Sequence, residues 1–398
     1  MSDATQTQTK IAAPSMNIGV DIRPLMTEHR TGVGEYVYEL LNAIFEIDQK
    51  NQYFLFYNAS SEPVINFSNW KKENVHIVAS RWPNKFLNAA IAFSGQPKLD
   101  QFLLRNCSLK IDKLDYFFSP NLNFTSVSDQ VKHILTIHDL SYEFFSDCFS
   151  PKDRLWHRVV RPNAQVKRAD IILVPSENTK QDVVGYYGVP ANKVKVIYPG
   201  VASSFAAGLS ETILFKKYIL YLGTIESRKN VAAVVEAYRM AKKQYPEVMV
   251  GCELVLAGAV GYGGQKIIEE AKKVSGISYI GYVSAEEKFD LYKNAALFVF
   301  PSLYEGFGFP VVEAFAAGLP VITSNRSSLA EVSGGAAYLV NPLSVRDISE
   351  AMIKLLQNER ICLELKNNGL ERASLFAWQR AAELFLAEVE KMWFRPCG

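Results

Sequence analysis

Two carboxylates eight positions apart, Glu305 and Glu313, lie in the part of the chain with the richest chemistry. Glu305 precedes a glycine loop formed by Gly306, Phe307 and Gly308, and Glu313 falls in the first turn of a predicted helix. The loop exposes backbone N–H groups and the helix start carries partial positive charge, which suits an anion such as a diphosphate. A carboxylate beside that anion accepts hydrogen bonds from neighbouring hydroxyls. The stretch therefore predicts a site for a phosphorylated, hydroxyl-rich ligand, although a plain strand–loop–helix connection has the same pattern.

A pair of cations, Arg228 and Lys229, precedes another predicted helix and follows Gly223 and Thr224 at the end of an apolar strand. Arginine offers two parallel hydrogen-bond donors and lysine a point charge, so together they can hold a diphosphate. Cations are unfavourable at a helix N-terminus. This placement favours a ligand role over a solvated pair.

Three residues of the first half of the chain also fall at strand or helix ends. Gly32 and Gly34 precede a predicted helix over 36–47, where they either let a ligand approach the backbone or form a tight turn. His138 ends a predicted central strand, and strand ends are where α/β sheets bind ligands, although a lone histidine is often structural. The glycine pattern lacks the third glycine of a dinucleotide fingerprint, which disfavours an NAD-dependent oxidoreductase.

Composition limits the class of protein. A chain of 398 residues predicts two domains, and a net charge of +2 argues against a nucleic-acid partner. The 5 cysteines are scattered, so we expect neither a disulfide framework nor structural zinc, and a reducing cytoplasm fits. No apolar run reaches the roughly 18 residues of a membrane-spanning helix.

One segment, 152–168, is strongly basic and contains Trp156. Its cations face a single acid, Asp153. Such a surface is suited to anionic lipid or to a lipid diphosphate, and a solvated helix face has the same composition.

The elements that must position these residues alternate as short apolar strands and helices, which predicts doubly wound parallel α/β sheets. The alternation stops in a segment rich in small residues, 201–212, and then begins again, so we interpret that segment as a linker. The predicted parts are a disordered tail (1–15), a first domain (16–205), a second domain (213–375) and a terminal helical segment (376–398). Two such domains place their strand ends face to face across a cleft.

Taken together, these segments resemble the retaining glycosyltransferases of family 4, whose GT-B fold consists of two facing Rossmann-like domains. The resemblance extends over nearly the whole chain. It is carried by Glu305-x7-Glu313 within SLYEGFGFPVVEAFAAGLPV, by LGTIESRKN (222–230), by IGYVS (280–284), by IHDL (137–140), by VPSENTK (174–180) and by the early TGVGEY loop.

The resemblance implies a role for the catalytic candidates. Glu305, with the amides of the glycine loop, would hold the donor sugar, and Glu313 would bind the ribose of a sugar nucleotide. Arg228 and Lys229 would neutralise the leaving diphosphate in place of a metal. His138 would contact the donor sugar near the reacting carbon.

The resemblance implies further contacts with the donor. Gly32 and Gly34 would lie by the diphosphate or the acceptor, and Tyr282 and Val283 near the base. Gly223 and Thr224 belong to the segment 222–230, which would hold the diphosphate and which we call the phosphate segment. Some family members carry an arginine in place of Thr224. Residues 324–328 and Glu331 are implied more weakly, and the final helix would cross back onto the first domain.

The LGT-x-E-x-RKN form of 222–230 resembles bacterial mannosyltransferases of lipopolysaccharide and exopolysaccharide biosynthesis. This resemblance implies a hexosyltransferase that moves mannose from GDP-mannose to a lipid-linked or growing polysaccharide acceptor with retention, and it implies neither a cofactor nor a metal. The first domain would bind the acceptor, and the enzyme would be cytoplasmic, with possible peripheral contact to the inner face of the membrane. The alternatives are another donor (dTDP-rhamnose, UDP-glucose or UDP-galactose) and a non-catalytic nucleotide-sugar binder.

Overall fold

The computed structural model describes residues 14–26, 31–59, 67–201 and 218–394. These residues form two parallel β-sheets with helices packed on them, one sheet in each half of the chain. Most of the predicted tail and most of the predicted linker lie outside the described residues.

The first sheet belongs to the N-terminal half. Its strands are β1 (Asn17–Asp21), β2 (Gln52–Asn58), β3 (Val75–Ser80), β4 (Tyr116–Ser119), β5 (Lys132–Thr136), β6 (Ile171–Val174) and β7 (Val194–Val196). They are all parallel and lie in the order β3-β2-β1-β4-β5-β6-β7. The order of strand addition reverses at β1, and ligands of such sheets bind at the carboxyl ends of the strands beside that point.

In the described part of the N-terminal half, seven α-helices accompany this sheet. They are α1 (Gly32–Ile47), α2 (Asn84–Ser94), α3 (Leu99–Asn106), α4 (Ser141–Phe144), α5 (Pro151–Val160), α6 (Pro162–Arg168) and α7 (Glu177–Tyr187). Helix α1 begins earlier than predicted because the Thr31 hydroxyl caps it, accepting from the Gly34 amide at 3.3 Å.

The second sheet has six strands. They are β8 (Tyr218–Leu222), β9 (Glu253–Ala257), β10 (Ile277–Gly281), β11 (Leu297–Phe300), β12 (Val321–Ser324) and β13 (Tyr338–Val340). All are parallel, in the order β10-β9-β8-β11-β12-β13. Because β8 and β11 are neighbours at the reversal point, the loops that follow them lie side by side.

Among residues 218–394, eight α-helices accompany the second sheet or follow it. They are α8 (Val231–Gln244), α9 (Gly264–Ala271), α10 (Ala285–Asn294), α11 (Phe309–Ala316), α12 (Ser327–Ser333), α13 (Val345–Gln357), α14 (Glu359–Ser374) and α15 (Trp378–Trp393). Helix α11 begins directly after Gly308, whose φ of 97° is left-handed. Glu313 therefore lies in the second turn of its helix and not in the first.

The last helix, α15, packs against the first domain although it follows the second in the chain. Its buried residues join the same apolar core as α1 and β1, and they are Ala381, Ala382, Phe385, Val389 and Met392. The Lys132 ammonium of β5 also donates to the carbonyl oxygen of Met392 at 2.7 Å. This face completes the core on one side of the first sheet.

The central strands are buried along their whole length, as β6, β11 and β12 are. Such continuous burial is expected where helices cover both faces of a parallel sheet. The predicted fold class, two doubly wound α/β domains, is confirmed. Within the described part of the chain, we find no helix that is both long and apolar enough to cross a bilayer.

Candidate functional site

The two domains touch where the loop after β5 meets the loop after β11. A side-chain carbon on Gly306 would lie 1.8 Å from the carbonyl oxygen of His138, so glycine is required for this approach. The Gly306 carbonyl accepts hydrogen bonds from the hydroxyls of Ser176, at 2.7 Å, and Thr179, at 3.2 Å. The predicted donor loop of the second domain is therefore held by two loops of the first.

Glu305 lies next to this contact and forms a buried ion-pair cluster with the two predicted phosphate-binding cations. The Lys229 ammonium is 2.5 Å from Oε1 of Glu305, and Nη1 of Arg228 is 3.4 Å from Oε2. Only 6% of Glu305 and 9% of Arg228 is exposed. Burial raises the pKa of the Glu305 carboxyl, but the neighbouring Lys229 and Arg228 outweigh burial and hold that pKa below its ordinary value. Glu305 is thus a buried, ionised carboxylate.

Arg228 is fixed from several sides. Its Nη1 donates to the Tyr304 carbonyl at 2.6 Å and its Nη2 to Oε1 of Glu226 at 2.8 Å, while its buried Nε has no partner. Burial lowers the pKa of this guanidinium, but Glu305, Asp139 and Glu226 outweigh burial and raise the pKa. Glu226 and Asp139 are site residues that sequence reasoning missed. Their signal was adjacency, because each stands within two positions of a predicted site residue.

Asp139 brings a carboxylate of the first domain toward Arg228. Its Oδ1 accepts from the amide of Ser141 at 2.8 Å and from the hydroxyl of the same residue at 2.6 Å. Burial raises the pKa of Asp139, but Arg228 and these hydrogen bonds outweigh burial and hold that pKa below its ordinary value. The cation is therefore shared between acids of both domains.

The positions of the cations are set by a short 3-10 turn, Ser227–Lys229, that follows β8. Asn230 ends this turn at a left-handed φ of 61°. Its side-chain amide nitrogen donates to the carbonyls of Pro301 at 3.1 Å and Pro342 at 2.7 Å. The carbonyl of Arg228 accepts from the Leu303 amide at 2.9 Å. These hydrogen bonds tie the phosphate segment to the loop that carries Glu305.

The backbone of Glu305 is held by two serines at the start of α12. Its amide donates to the hydroxyl of Ser327 at 3.1 Å, and its carbonyl accepts from the hydroxyl of Ser328 at 2.7 Å. Both serines belong to the segment 324–328 that the sequence indicated more weakly. They position Glu305 through its main chain.

His138 lies on the first-domain side of the same contact. Its Nε2 is 2.9 Å from the carbonyl oxygen of Pro120, and the ring packs edge-on against Tyr36 with 4.7 Å between ring centres. Burial lowers the pKa of this imidazole, and the bond to Pro120 raises it only in part. The ring is therefore neutral near pH 7. With Nε2–H donating to Pro120, Nδ1 is left as a hydrogen-bond acceptor.

Glu313 lies apart from this cluster. Its carboxylate accepts a short hydrogen bond from the Lys288 ammonium and one of 3.0 Å from the Tyr292 hydroxyl. Both partners stand on α10, which follows Tyr282 and Val283. Sequence reasoning missed Lys288 and Tyr292, whose spacing of four on one helix was the available signal. The two carboxylates of the opening motif thus occupy different parts of the second domain.

The two residues predicted near the base follow edge strand β10. Tyr282 is exposed, and Val283 is partly buried against the core of the second domain. Phe307 differs from both: it packs with Phe309 and Phe376, with 5.2 and 5.4 Å between ring centres. Its backbone, and not its side chain, is therefore the part available to a ligand.

The remaining predicted site residues are Gly32, Gly34, Gly223 and Thr224. The first two lie in the opening turn of α1, and Gly32 is exposed with open space around its α-carbon. Gly223 follows β8, and its amide donates to the Ala257 carbonyl at 3.0 Å. The Thr224 carbonyl accepts from the Tyr221 hydroxyl at 3.2 Å. The hydrogen bonds of Gly223 and Thr224 hold the start of the phosphate segment.

Glu331 contributes a second contact between the domains. Its carboxylate accepts from the amides of Glu177, at 2.8 Å, and Asn178, at 2.9 Å, in the first turn of α7. It also accepts from the Tyr198 hydroxyl at 2.8 Å. A carboxylate suits this position because helix N-termini attract negative charge. Glu331 therefore serves domain contact rather than the donor site.

Known families match both halves of the chain. The model described as Glycosyltransferase Family 4 matches residues 30–205, and the model described as Glycosyl transferases group 1 matches residues 211–372. The chain belongs to the family 4 type of glycosyltransferases with the GT-B fold. The predictions of this family and of a transferase enzyme are confirmed.

Two similar proteins are named mannosyltransferases, and one similar solved structure is a glycosyltransferase. The O-antigen chain mannosyltransferase B of Escherichia coli is 28% identical over 370 residues, which cover 88% of this chain and 93% of that protein. The serotype-specific mannosyltransferase WbdA of Escherichia coli is 34% identical over 241 residues, or 56% of this chain and only 29% of WbdA. WaaG, a glycosyltransferase involved in lipopolysaccharide biosynthesis, shares the fold with a TM-score of 0.67 at 16% identity, covering 92% of this chain and 99% of WaaG.

Proposed function

We propose that the protein transfers mannose from GDP-mannose to a growing lipid-linked glycan of the O-antigen type, with retention of configuration. The observation that carries this proposal is the buried cluster of Glu305, Lys229 and Arg228, which faces the His138 loop across the domain contact. The mannosyltransferase names of the relatives support the sugar, and their O-antigen names support the acceptor class.

The cluster suits a diphosphate leaving group. Negative charge grows on the diphosphate oxygen as its bond to the sugar breaks, and positive charge already fixed at that place stabilises the transition state. Arg228 is held by Glu226 and the Tyr304 carbonyl, so it acts as a fixed charge. Lys229 has a flexible stem and contacts Glu305.

Donor binding then exchanges one ion pair for two new contacts. Lys229 turns from Glu305 to the diphosphate, and the Glu305 carboxylate becomes free to accept hydrogen bonds from the hydroxyls of the donor sugar. Nδ1 of His138 accepts a hydrogen bond from a hydroxyl of the donor sugar on the opposite side. Glu313 accepts the ribose hydroxyls at a distance from the reacting carbon.

The transfer proceeds on one face of the sugar. The acceptor oxygen bonds to C1 from the side on which the diphosphate leaves, and the bond from C1 to the diphosphate oxygen breaks. The acceptor proton passes to the departing diphosphate oxygen. The products are an α-linked glycan and a nucleoside diphosphate, and the configuration at C1 is retained.

We propose that this reaction needs no metal, since Arg228 and Lys229 supply the positive charge. Among the residues that the structure describes, no three or more His, Cys, Asp or Glu side chains come together as a metal site. Turnover is expected to be unchanged by EDTA and by added Mg²⁺. A strict dependence on a divalent ion would contradict this part of the proposal.

We also propose peripheral contact with the cytoplasmic face of the membrane through the first domain. Helix α2 and the loop before it expose Trp82, Phe86 and Phe93, the last with 87% of its surface in solvent. Exposed aromatic side chains beside cations are suited to a lipid interface. Replacing Phe86 and Phe93 with serine should reduce sedimentation with anionic vesicles, and unchanged sedimentation would exclude this surface.

The donor is tested by incubating purified protein with GDP-mannose, UDP-glucose, UDP-galactose or dTDP-rhamnose and a bacterial lipid extract. We expect release of GDP to exceed release of the other nucleoside diphosphates, and NMR of the product to show an α linkage. Faster release of UDP or dTDP than of GDP would mean that the donor is a UDP-sugar or dTDP-rhamnose and not GDP-mannose. No release from any donor would favour a non-catalytic binder.

A further inference from the structure

A basic groove of about 800 Å³ lies in the first domain and is not used by the donor site. We call it the basic groove, and its cationic lining residues are Arg154, Arg158, Arg161 and Lys167. Its volume falls within the range of roughly 300–1,000 Å³ of small-molecule sites. The groove is therefore large enough for a phosphorylated ligand.

The charges of the groove are poorly balanced. Arg158, Arg161 and Lys167 form no ion pair with any carboxylate in the described part of the chain, and Arg154 lies 3.6 Å from Asp147, which is 99% exposed. The acid in the lining, Glu143, accepts hydrogen bonds from two tyrosine hydroxyls, at 2.8 and 3.1 Å. Four cations therefore face one carboxylate that is already engaged.

Arg161 has an unusual backbone. It lies between α5 and α6 with φ 55° and ψ 63°, a left-handed conformation that costs free energy in any residue with a side chain. Among the described residues, the other non-glycine positions of this kind are Asn230 and Ser327, and both hold the donor site together. An arginine at a position better suited to glycine indicates that its side chain is used.

The groove lies close to the cleft. Tyr142 and Glu143, which line it, belong to α4, and this short helix begins two residues after Asp139. The ring of His157 stacks on Tyr142 with 4.5 Å between ring centres, and its Nδ1 is buried without a partner. The groove therefore adjoins both the ring of His157 and the loop that faces the donor.

We propose that the basic groove binds a phosphate or diphosphate carried by the acceptor. The parallel N–H donors of an arginine guanidinium match the spacing of phosphate oxygens. The groove holds three arginines beside one lysine. The acceptor sugar next to that group then lies in the cleft, so the enzyme extends a glycan close to its phosphate rather than at the end of a long chain. Only the identity of the carrier rests on the proposed function, because the groove itself is independent of the donor site.

The test measures binding without turnover. Octyl diphosphate is titrated calorimetrically into the protein in excess GDP, UDP and dTDP, which occupy the donor side for each of the donors considered. Dioctanoyl phosphatidylglycerol and inorganic phosphate serve as the alternative sources of phosphate. We expect octyl diphosphate to bind at least about tenfold more tightly than either, because a diphosphate accepts several charge-assisted hydrogen bonds.

Three variants locate the binding. Arg158→Gln and Arg161→Gly should each weaken octyl diphosphate binding by about tenfold, as expected when one charge-assisted hydrogen bond is lost. Arg161→Gly also relieves the left-handed backbone, so its melting temperature should match or exceed that of the wild type. Lys152→Gln removes the same charge from α5 outside the groove and should leave binding unchanged.

Several results would overturn the proposal. Equal binding by Arg158→Gln, Arg161→Gly and wild type would place the ligand elsewhere. If phosphatidylglycerol binds as tightly as octyl diphosphate, the groove binds lipid headgroups and not specifically the diphosphate of an acceptor. If octyl diphosphate does not bind, the groove is not the site for the phosphate of the acceptor. Since no transfer is measured, these results are independent of failure in the donor assay.

Discussion

Replacing Lys229 with methionine removes the charge in contact with Glu305 and keeps most of the side-chain volume. At the observed 2.5 Å between the two charged atoms, an effective dielectric constant of about 20 gives an attraction of roughly 6–7 kcal/mol. Desolvation offsets much of this attraction, and removing one partner of a buried pair costs about 3–5 kcal/mol. Because Arg228 remains near the carboxylate, we expect the free energy of unfolding to fall by about 3 kcal/mol, the lower end of that range.

The assay is urea denaturation followed by circular dichroism for the wild type, Lys229→Met, Glu305→Gln and the double variant. The double variant carries no unpaired charge, so its loss should be smaller than the sum of the single losses by about 2 kcal/mol. Transfer activity should fall in both single variants by about a hundredfold or more. Lys229→Met removes the positive charge beside the leaving diphosphate, and Glu305→Gln removes the carboxylate that accepts hydrogen bonds from the donor sugar.

The pH dependence gives a second test. In the wild type the pKa of Glu305 lies below its ordinary value of 4.5, so the stabilisation is complete above that value and is lost as the pH falls through the lowered pKa. Without Lys229 the pKa of Glu305 moves up, and the loss of stability in Lys229→Met should be larger at pH 7 than at pH 5. Glu305→Gln should show no such trend.

The reasoning about this pair would be refuted by a loss below about 1 kcal/mol in Lys229→Met, the value of an exposed pair. Strict additivity of the two single variants in the double variant would refute it equally. Either result would mean that the contact of Lys229 with Glu305 contributes little to the folded protein.

Three further predictions concern residues around the cluster. Glu226→Gln frees one side of the Arg228 guanidinium and should lower kcat by about tenfold with little change in KM, while the exposed Glu236→Gln should have no effect on steady-state kinetics. Gly306→Ala cannot fit against the His138 carbonyl and should abolish transfer with normal circular dichroism, whereas Gly185→Ala, with open space inside α7, should stabilise the protein by about 1 kcal/mol in urea. Glu331→Gln weakens the contact with two amides of α7 and should increase the radius of gyration in X-ray scattering, and an unchanged radius would contradict this role.

The fold was open to prediction because each half of the chain repeats a strand–helix alternation. The same periodicity placed Glu305 and the cations after two strands of one sheet, and the adjacency of β8 and β11 explains why they meet. Local patterns failed at the ends of helices, where one capping side chain or one unusual backbone conformation decides the boundary. The start of α1 depends on a cap at Thr31, and the break between α5 and α6 depends on the backbone of Arg161.

The candidate site was predicted in its parts but not in its pairings. Glu305 was assigned to a sugar, and the structure pairs it with Lys229 and Arg228. Glu226 and Asp139 stand close to predicted site residues in the chain, and the partners of Glu313 share one helix. Spacing along the chain makes these residues candidates but does not show which side chains they meet. The roles of these residues in catalysis remain predictions for the experiments above.

The placement of α15 has a consequence for synthesis on the ribosome. Chains fold from the N-terminus as they emerge, at roughly 5–20 residues per second. The first domain lacks Phe385, Val389 and Met392 until α15 has left the exit tunnel, so its apolar face stays uncovered while the whole second domain is made. A chaperone that binds nascent apolar surfaces should therefore remain on this domain until α15 has been made, and chains stalled before α15 should be cleaved by protease in the first domain more readily than in the second.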